Sequence, residues 1–448
     1  MLSGMTGLVS KAVSGLKGVA KTPGDKSISH RSLMFGALAE GETVVTGLLT
    51  GEDVLHTGQA LSAMGAHITP PAEANGTWRI RGVGAAGLKT PHATVYLGNS
   101  GTSTRLLMGV AGGYAMHATF TGDASLSKRP MGRVIKPLAR MGVQFETSTG
   151  DMLPLKIIGA AKLRAIEYTL PVASAQVKSA ILLAGLHAEG MTTVIEPAPT
   201  RDHSERMLNF FGAKVSSELR ADGAKVIHIE GFPKLTAQPI TVPADPSSAA
   251  FLTVAALITK DSDILIPNVS VNPLRTGLYD TLKEMGGNIA FENPRDASGE
   301  PVADIRVKSS ALKGVTVPPS RVPSMIDEFP VLSVAASFAT GKTYMSDLKE
   351  LRVKESDRLL AIATGLKLAG VTVEMGEEDL TVHGTGKPPT GGCKVETNLD
   401  HRIAMSFLVM GLAAQNPVSV DDAETITTSF PGFAALMNAL GAAISPSA

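Results

Sequence analysis

Two stretches in the first quarter of the sequence combine cations with small polar residues at a predicted helix start. In residues 23–32, Lys26 and Ser27 open the helix. Arg31 follows one turn later, on the same face. In residues 98–105, Gly-Asn-Ser-Gly-Thr-Ser-Thr-Arg, the small side chains let backbone N–H groups reach an anion at a helix N-terminus. Both stretches therefore predict the binding of an anionic ligand.

Similar polar motifs recur along the rest of the chain. They are Lys128-Arg129-Pro130, Ser174-Ala175-Gln176 with Lys178, Arg201-Asp202-His203-Ser204, Asp327-Glu328, the run from Arg352 to Arg358, and Asp400-His401-Arg402. The cations predicted near helix N-termini are Lys26, Arg31, Arg129, Arg201, Lys354, Arg358 and Arg402. Each of them opposes the helix dipole by roughly 0.3–1 kcal/mol. A ligand with several negative charges, from phosphate and carboxylate groups, would offset this cost.

Simpler interpretations of the single motifs stay open at this stage. Lys354 and Arg358, four residues apart, could form a solvated helix face. A Gly/Ser/Thr loop before a helix is usually only a cap. His203 and His401 each follow an Asp and are more often structural than catalytic in such positions.

The composition excludes several classes of protein. Lys+Arg and Asp+Glu both total 41, and the chain has only 13 Phe, 5 Tyr and 1 Trp, so general nucleic-acid binding is not expected. The single cysteine, Cys393, excludes internal disulfides, thiolate zinc sites and iron–sulfur clusters. No two histidines have metal-ligand spacing on one helix, and no P-loop lysine motif occurs. We therefore expect neither a metal site nor an ATP-using kinase of that type.

The amino-terminal region leaves two interpretations of localisation. Residues 1–24 contain three lysines and no acid, as transit peptides often do. The stretch has no arginine, however, and residues 16–22 already resemble a strand entering the fold. The shortage of cysteine suits a reducing compartment, and no apolar run approaches the ~18 residues of a transmembrane helix. We therefore expect a cytoplasmic protein of the bacterial type, without membrane or nucleic-acid partners.

A short pattern recurs six times: two apolar residues three positions apart, then Gly, then a strand-like run. Its glycines are Gly65, Gly142, Gly212, Gly286, Gly370 and Gly441, at spacings of 77, 70, 74, 84 and 71 residues. The pattern predicts the last turn of a helix, a left-handed glycine cap and a strand. Helix-start signals recur in the same phase near Ser27, Gly101, Ser174, Ser247, Ser324 and Asp400. Each repeat of about 75 residues should therefore hold two helices and several short strands.

The similar segments Thr22–Asp25 and Val242–Asp245 divide the six repeats into two sets of three. We therefore predict an α/β protein with two similar domains joined by a two-strand hinge. Residues 1–25 and 246–448, with repeats 4–6, should form one domain. Residues 26–245, with repeats 1–3, should form the inserted domain, and the active site should lie in the cleft between the two. An ordinary α/β protein without internal symmetry is the alternative.

The polar motifs also resemble those of a known enzyme family, the EPSP synthases (3-phosphoshikimate 1-carboxyvinyltransferases). The motifs that carry the resemblance are Pro-Gly-Asp-Lys-Ser-Ile-Ser-His-Arg, Gly-Asn-Ser-Gly-Thr, Lys-Arg-Pro-Met-Gly, Arg-Val-Lys-Glu-Ser-Asp-Arg and Asp-His-Arg-Ile-Ala-Met. They occur in order, and the resemblance runs from about residue 15 to about residue 445. The Ser-Ala-Gln triplet and the Ser-Phe-Pro end motif resemble the bacterial class II branch. The resemblance implies an inside-out α/β barrel pair built from six βαβαββ units.

The resemblance also implies a reaction. The family transfers the enolpyruvyl group of phosphoenolpyruvate to the 5-hydroxyl of shikimate 3-phosphate and releases phosphate, in chorismate and aromatic amino-acid biosynthesis. The reaction proceeds by addition and elimination through a tetrahedral intermediate, without metal or cofactor. Both substrates carry a carboxylate and a phosphate, which is the ligand chemistry that the motifs predict. A monomer that glyphosate inhibits at the phosphoenolpyruvate subsite is expected on the same ground.

Roles for individual residues follow from the matching motif positions. Asp327 is implied as the base for the 5-hydroxyl and Glu355 as the proton donor to the methylene carbon, with Lys26 as a third catalytic residue whose role could be exchanged with theirs. The residues implied for shikimate 3-phosphate are Lys26, Ser27, Arg31, Ser174, Ala175, Gln176, Arg201, Asp327 and Lys354. Those implied for phosphoenolpyruvate are Lys26, Asn99, Gly101, Thr102, Arg129, Gln176, Arg358 and Arg402.

The chain departs from the family pattern at three positions. Ala175 stands where many members have a second serine, and Leu106 replaces a proline common after the loop arginine. Thr428 replaces a lysine common before Ser-Phe-Pro, so we expect weaker binding of phosphoenolpyruvate than elsewhere in the family.

Two rival functions remain. The sister enzyme that transfers enolpyruvate to UDP-N-acetylglucosamine shares the fold, but its usual reactive cysteine lies in a mobile loop far from the position of Cys393. A non-catalytic repeat scaffold would need no acid–base pair.

Overall fold

The computed structural model describes residues 7–73, 76–148 and 150–447. Residues 1–6, which we predicted as the beginning of the domain formed by residues 1–25 and 246–448, lie outside the described part. The α-helices of the described residues are α1 (Lys26–Leu38), α2 (Glu52–Ala63), α3 (Gly101–Gly112), α4 (Gly132–Met141), α5 (Ala175–Gly185), α6 (His203–Phe210), α7 (Pro246–Ile258), α8 (Gly277–Glu284), α9 (Phe329–Phe338), α10 (Arg358–Leu368), α11 (His401–Gly411) and α12 (Phe433–Ala439).

The strands of the same residues are β1 (Leu8–Lys11), β2 (Lys17–Val19), β3 (Glu42–Thr46), β4 (His67–Thr69), β5 (Trp78–Arg81), β6 (Val95–Tyr96), β7 (His117–Thr121), β8 (Gln144–Thr147), β9 (Leu155–Ile158), β10 (Leu163–Arg164), β11 (Glu167–Thr169), β12 (Ala188–Glu189), β13 (Met191–Glu196), β14 (Val215–Leu219), β15 (Lys225–Glu230), β16 (Ile240–Thr241), β17 (Asp263–Ser270), β18 (Asn288–Ala297), β19 (Glu300–Lys308), β20 (Thr340–Met345), β21 (Thr372–Met375), β22 (Leu380–Thr385), β23 (Lys394–Val395), β24 (Val418–Val420) and β25 (Ala443–Pro446).

The even-numbered helices α2 to α12 end at the glycines of the repeat. Each glycine follows its helix by one or two residues, with φ between +82° and +113°. Glycine adopts this left-handed conformation without the steric cost that a Cβ imposes. A strand begins shortly after each of them: β4, β8, β14, β18, β21 and β25. The predicted sequence of helix, glycine cap and strand is therefore confirmed at all six positions.

The odd-numbered helices begin at the polar motifs. The side chains that cap α1, α3, α5, α7 and α11 belong to Asp25, Ser100, Ser174, Asp245 and Asp400. The helix start predicted near Ser324 is wrong, because Ser324 ends a 3-10 helix and α9 begins only at Phe329. Pro330 favours a helix start there, since the N–H that proline lacks would have no partner in the first turn.

Backbone contacts divide the chain into two compact units. The N-terminal unit comprises Gly24–Val242 and Asp296–Glu300, and the C-terminal unit comprises the rest of the chain. The two long crossings lie two and three residues from the predicted ones. The excursion Asp296–Glu300, which forms the turn between β18 and β19, departs from the continuous segment 246–448 that we predicted, because its residues bond within the N-terminal unit.

In its described residues, the N-terminal unit contains three larger sheets with one strand pattern. Their strand orders are β16-β3-β5-β4, β6-β7-β9-β8 and β11-β13-β15-β14, and a small sheet pairs β10 with β12. In each larger sheet the first strand runs parallel to the second, and the remaining neighbours are antiparallel. The pattern therefore repeats three times within this unit.

The C-terminal unit shows the same pattern with two variations. Its strand orders are β18-β19-β17-β2, β20-β22-β21 and β23-β24-β1-β25. In the second sheet, Lys313 and Thr316 form isolated parallel bridges to β20 where the other sheets have a fourth strand. In the third sheet, β1 lies between β24 and β25, so the beginning of the described chain completes the last repeat. The predicted α/β fold of two sets of three similar units is confirmed.

Each unit has its own core around three buried helices. These are α1, α3 and α5 in one unit, and α7, α9 and α11 in the other. A Cβ added to Gly109 of α3 would lie 2.2 Å from the carbonyl oxygen of Ala180 in α5, so only glycine allows these two helices to pack so closely. Among the described residues, no helix is both long enough and apolar enough to cross a membrane.

Candidate active site

The first turn of α1 presents Lys26 beside an acidic partner. Asp25 accepts a hydrogen bond from the backbone N–H of Ile28 at 2.8 Å and thereby fixes the helix start. The ammonium of Lys26 pairs with the carboxylate of Asp53, which lies in the first turn of α2. The side chain of Lys26 is 22 % exposed, so it is both held in place and accessible to a ligand.

Arg31 lies one turn further along α1 and is almost fully buried. Its guanidinium donates from Nε to Ser204 Oγ at 2.8 Å, from Nη2 to Ser179 Oγ at 2.8 Å and from Nη1 to the carbonyl of Ser27 at 3.0 Å. Burial lowers the pKa of Arg31 to about 10, against the opposing effect of Glu205. At neutral pH the guanidinium is therefore a fixed cation beside the first turn of the helix.

The first turns of α3 and α5 are joined by a chain of side-chain hydrogen bonds. Arg105 Nη1 donates to Gln176 Oε1 at 2.7 Å, and Gln176 Nε2 donates to Thr102 Oγ1 at 3.1 Å. A Cβ added to Gly101 would lie 2.8 Å from Arg105 Nη1 and 3.4 Å from Arg129 Nη1. Gly101 therefore lies under two guanidinium groups, with no room for a side chain unless these groups move.

Arg129 is held against the glycine-rich loop. Its guanidinium donates to the backbone carbonyl of Asn99 at 3.3 Å, to the side-chain oxygen of Asn99, and to Ser125 Oγ at 3.2 Å. The Asn99 amide donates in turn to Asp123 at 2.6 Å. Asn99, Gly101, Thr102, Arg129 and Gln176 thus form one connected group in the N-terminal unit.

The loop that carries Arg201 rests on a buried ion pair. Glu196 accepts hydrogen bonds from the backbone N–H of Thr200 at 3.1 Å and from its hydroxyl at 2.7 Å. The fully buried ammonium of Lys178 lies 3.0 Å from Glu196 and donates to the carbonyl of Thr200 at 3.3 Å. Burial opposes the charge of Lys178, but Glu205 and Glu196 outweigh it and raise the pKa of Lys178 above its usual value.

In the C-terminal unit, three carboxylates surround the buried guanidinium of Arg358 at the first position of α10. Arg358 donates to Asp400 at 2.8 Å, to Glu355 at 2.5 Å and to Asp327 at 3.1 Å. Burial disfavours the charge of Arg358, but the attraction of the three carboxylates outweighs this effect. The pKa of Arg358 therefore lies above its usual value. Burial also opposes the charge of Asp400, yet the contact with Arg358 holds the pKa of that carboxyl below its usual value.

Two further cations face the same cluster. Lys354 Nζ lies 3.5 Å from Asp327 Oδ1. Arg402, in the first turn of α11, donates to the backbone carbonyl of Asp327 at 3.2 Å and to Glu328 at 3.5 Å. Lys354 precedes α10 and Arg358 is 1 % exposed, so the interpretation of these two residues as a solvated helix face is wrong.

Other residues named from the sequence have more local contacts. Ser174 caps α5 through its hydroxyl, and Ala175 begins that helix. The hydroxyl of Thr428 donates to the carbonyl of Thr425 at 2.7 Å, within the 3-10 helix that contains both residues. Cys393 is partly buried, and burial raises the pKa of its thiol, which disfavours the reactive thiolate.

Three partners of these residues could not be identified from the sequence. Asp53 follows an ordinary helix-start pattern that gives no sign of its contact with Lys26. Arg105 belongs to the glycine-rich loop motif, and its presence there was the available signal for its contact with Gln176. Glu328 directly follows Asp327, and only the fold shows that it faces Arg402.

The fold of two three-repeat units, with clustered cations in each, is that of the enolpyruvyl transferases. The enolpyruvyl transferase NikO from Streptomyces tendae has a similar fold, with a TM-score of 0.77 over 99 % of both chains and 19 % sequence identity. An EPSP synthase structure from Acinetobacter baumannii has a TM-score of 0.88 and 47 % identity, over 99 % of this chain and 100 % of the other.

The model of the EPSP synthase family, 3-phosphoshikimate 1-carboxyvinyltransferase, matches residues 10–437. The 3-phosphoshikimate 1-carboxyvinyltransferase of Paramagnetospirillum magneticum is 58 % identical over 438 residues, 98 % of each chain. That of Brucella melitensis is 58 % identical over 433 residues, 96 % of each chain. The chain therefore belongs to the EPSP synthase family. It is a transferase of aromatic amino-acid biosynthesis that moves the enolpyruvyl group of phosphoenolpyruvate to shikimate 3-phosphate, and the nucleotide-sugar and scaffold alternatives are not favoured.

Proposed function

We propose that the polar clusters of both units serve the same pair of substrates in this reaction. The observation that carries the proposal is the cluster around Arg358, in which the two acid–base candidates, Asp327 and Glu355, share one buried cation. Lys26 and Arg129, which we assign to phosphoenolpyruvate, belong to the other unit. The proposal therefore assigns residues of both units to the reaction.

Shikimate 3-phosphate is assigned to the first turns of α1 and α5 and to the loop before α6. The residues proposed to bind it are Lys26, Ser27, Arg31, Ser174, Ala175, Gln176 and Arg201, with Asp327 and Lys354 from the C-terminal unit. Backbone N–H groups at helix starts and fixed guanidinium groups are the donors that a phosphate and a carboxylate prefer.

Phosphoenolpyruvate is assigned to the connected group around Gly101 and to the cations beside Asp327. The residues proposed to bind it are Lys26, Asn99, Gly101, Thr102, Arg129, Gln176, Arg358 and Arg402. Thr428 turns its hydroxyl into its own 3-10 helix and supplies no cation, so weaker binding than in relatives with lysine follows from this assignment.

The chemistry needs a base and an acid in the addition step. Asp327 takes the proton of the 5-hydroxyl, the oxygen bonds to C2 of phosphoenolpyruvate, and the electron pair of the double bond takes a proton at C3 from the protonated form of Glu355. Elimination then removes a proton from the C3 methyl group, restores the double bond and releases phosphate from C2. Lys26 neutralises the charge of the substrates.

Three further properties belong to this proposal. Glyphosate competes with phosphoenolpyruvate, because its phosphonate and carboxylate groups resemble the phosphate and carboxylate groups of that substrate. The protein acts as a monomer, as the family resemblance implies. Its place of action is the cytoplasm, which suits its single cysteine.

One substitution in each unit tests the shared site. Arg129→Gln and Arg402→Gln should each raise the KM for phosphoenolpyruvate by roughly ten- to a hundredfold, the effect of losing a charged hydrogen bond. Arg79→Gln, which removes an exposed pair with Glu42, is the matched control and should leave KM unchanged. If only one of the two site variants affected phosphoenolpyruvate, the assignment of this substrate to both units would be wrong.

A further inference from the structure

The turn between β18 and β19 crosses from the C-terminal unit into the N-terminal unit and carries a buried carboxylate. Ser298 and Gly299 have φ of +54° and +85°, as a two-residue type I′ hairpin turn requires. Glu300 follows this turn and is 1 % exposed. A buried carboxylate is costly unless it is paired, so its partner decides what the turn does.

The partner is His203, the first residue of α6. His203 is fully buried, and its Nδ1 lies 2.7 Å from Glu300 Oε1. Two weaker contacts accompany this bond: the backbone N–H of Thr241 donates to Ser298 Oγ at 3.0 Å, and Arg206 donates to the carbonyl of Gly299 at 3.4 Å. The turn is therefore fixed to the first turn of α6 by the buried bond to His203 and the contact of Arg206, and to β16 by the contact of Thr241.

The residue that follows His203 connects this bond to the proposed substrate site. Ser204 accepts a hydrogen bond from Arg31 Nε at 2.8 Å and donates to Ser179 Oγ at 2.8 Å, and Ser179 also accepts from Arg31 Nη2. Glu300 acts on Arg31 through its charge as well, because it favours the charged guanidinium against the effect of burial. The hydrogen bonds of Ser204 and the effect of charge both depend on the position of the Glu300 carboxylate beside the first residue of α6.

We infer that Glu300 is a positioning residue for Arg31. It sets the first turn of α6 through His203, so that Ser204 holds the guanidinium in the direction that shikimate 3-phosphate requires. The inference rests on the proposed role of Arg31 and adds to it a determinant 269 positions further along the sequence. The C-terminal segment of the chain thus contributes to the substrate site of the N-terminal unit through a residue that need not touch substrate.

Steady-state kinetics of Glu300→Leu tests this inference, with phosphoenolpyruvate and shikimate 3-phosphate varied in turn. We expect the KM for shikimate 3-phosphate to rise by roughly tenfold or more. The KM for phosphoenolpyruvate and kcat should each stay within about a factor of two of the wild-type values. Glu300→Gln keeps a hydrogen-bond acceptor and should recover part of the loss. Asp304→Leu is the control, because Asp304 lies on β19 of the same hairpin and bonds to Asn268, Asn293 and Arg295 instead.

A general loosening of the fold would give a different result. It would change both KM values and kcat together, and Asp304→Leu would then behave like Glu300→Leu. Such a joint change would overturn the inference. An unchanged KM for shikimate 3-phosphate in Glu300→Leu would overturn it as well. If the leucine variant does not fold, the same comparison is made with Glu300→Gln and His203→Gln. Arg31→Met, measured in parallel, separates the two proposals. If it leaves the KM for shikimate 3-phosphate unchanged, the assignment of Arg31 fails; if it raises this KM and the Glu300 variants do not, only the positioning role fails.

Discussion

Asp327 Oδ1 accepts a hydrogen bond from Arg358 Nη1 at 3.1 Å, and this contact joins the proposed base to the most buried cation of the C-terminal unit. Lys354 Nζ lies 3.5 Å from the same oxygen. Two cations on one oxygen restrict the movement of that oxygen without help from a ligand. A carboxylate that is already oriented loses little entropy when it takes a proton from substrate.

Removal of the charge of Asp327 should affect turnover more than binding. Asp327→Asn keeps the shape of the side chain but cannot take the proton of the 5-hydroxyl, so kcat should fall by about 10²–10⁴. The measurement is kcat together with the dissociation constant of shikimate 3-phosphate from isothermal titration calorimetry. A variant that binds this substrate normally and keeps near-full turnover would remove Asp327 from the role of base.

The second acid–base residue should show a similar loss. Glu355→Gln cannot give a proton to C3 of phosphoenolpyruvate and loses its ionic contact with Arg358, so we expect a fall in kcat of about 10²–10⁴. Glu377→Gln is the control, because Glu377 is exposed and also lies in the C-terminal unit. Equal activity of the two variants in a phosphate-release assay would contradict the assignment of Glu355.

A methyl group at position 101 should weaken the binding of glyphosate more than the binding of phosphoenolpyruvate. The added Cβ meets the ends of two arginine side chains, which can move, so Gly101→Ala should fold. Glyphosate is longer than phosphoenolpyruvate, and overpacking of roughly 1–3 kcal/mol should raise its inhibition constant by about 5- to 150-fold. The KM for phosphoenolpyruvate should rise less, through the displacement of Arg129.

The control for this substitution is Gly58→Ala in α2, where a Cβ meets nothing nearer than 3.6 Å. It should leave both constants unchanged at fixed shikimate 3-phosphate. A wild-type enzyme that resists millimolar glyphosate, or an alanine variant at position 101 that binds glyphosate equally well, would contradict the role of Gly101 and leave the reaction itself unaffected.

The buried histidine of α1 should make the fold sensitive to acid. Burial, followed by the nearby charge of Lys26, lowers the pKa of His30 from 6.5 to about 3. Between these two values the unfolded chain holds one more proton at this site than the folded chain. The free energy of unfolding should therefore fall as the pH falls, by about 1.4 kcal/mol per pH unit from this residue alone.

Chemical denaturation between pH 4 and pH 6.5 checks this effect in the wild type and in His30→Leu. The variant loses the hydrogen bond to Thr57 and should be less stable near pH 7, but its stability should depend less steeply on pH. His187→Leu should reduce the slope further, because burial lowers the pKa of His187 to about 4. Parallel pH profiles for His30→Leu and the wild type would show that His30 does not titrate on unfolding.

The predictions made from sequence succeeded where the determinant is local. A glycine cap depends on the conformation of one residue and a few neighbours, and all six caps were predicted correctly. The start of α9 was placed too early, because Ser324 looks like a cap while the prolines around it favour a 3-10 helix. A helix start is also a local feature, but the sequence around Ser324 is compatible both with an α-helix start and with a 3-10 helix.

The pairing of distant residues could not be predicted from a single sequence. Lys26 and Asp53 are 27 positions apart, and His203 and Glu300 are 97 positions apart. No periodicity or motif spacing relates such residues, since their contact depends on how separate helices and turns pack. The cations of the site were recognisable by their motifs, and so were Asp327, Glu355 and Asp400, whereas the contacts that orient the cations became visible only in the fold.

The most direct test of the account is product formation from two candidate acceptors. Phosphoenolpyruvate is mixed with the enzyme and either shikimate 3-phosphate or UDP-N-acetylglucosamine, and both free phosphate and the mass of the acceptor are followed. We expect phosphate release only with shikimate 3-phosphate, together with an equal amount of its 5-enolpyruvyl ether. Release of phosphate with the nucleotide sugar, or without formation of the ether, would contradict the central claim that these two clusters together perform enolpyruvyl transfer to shikimate 3-phosphate.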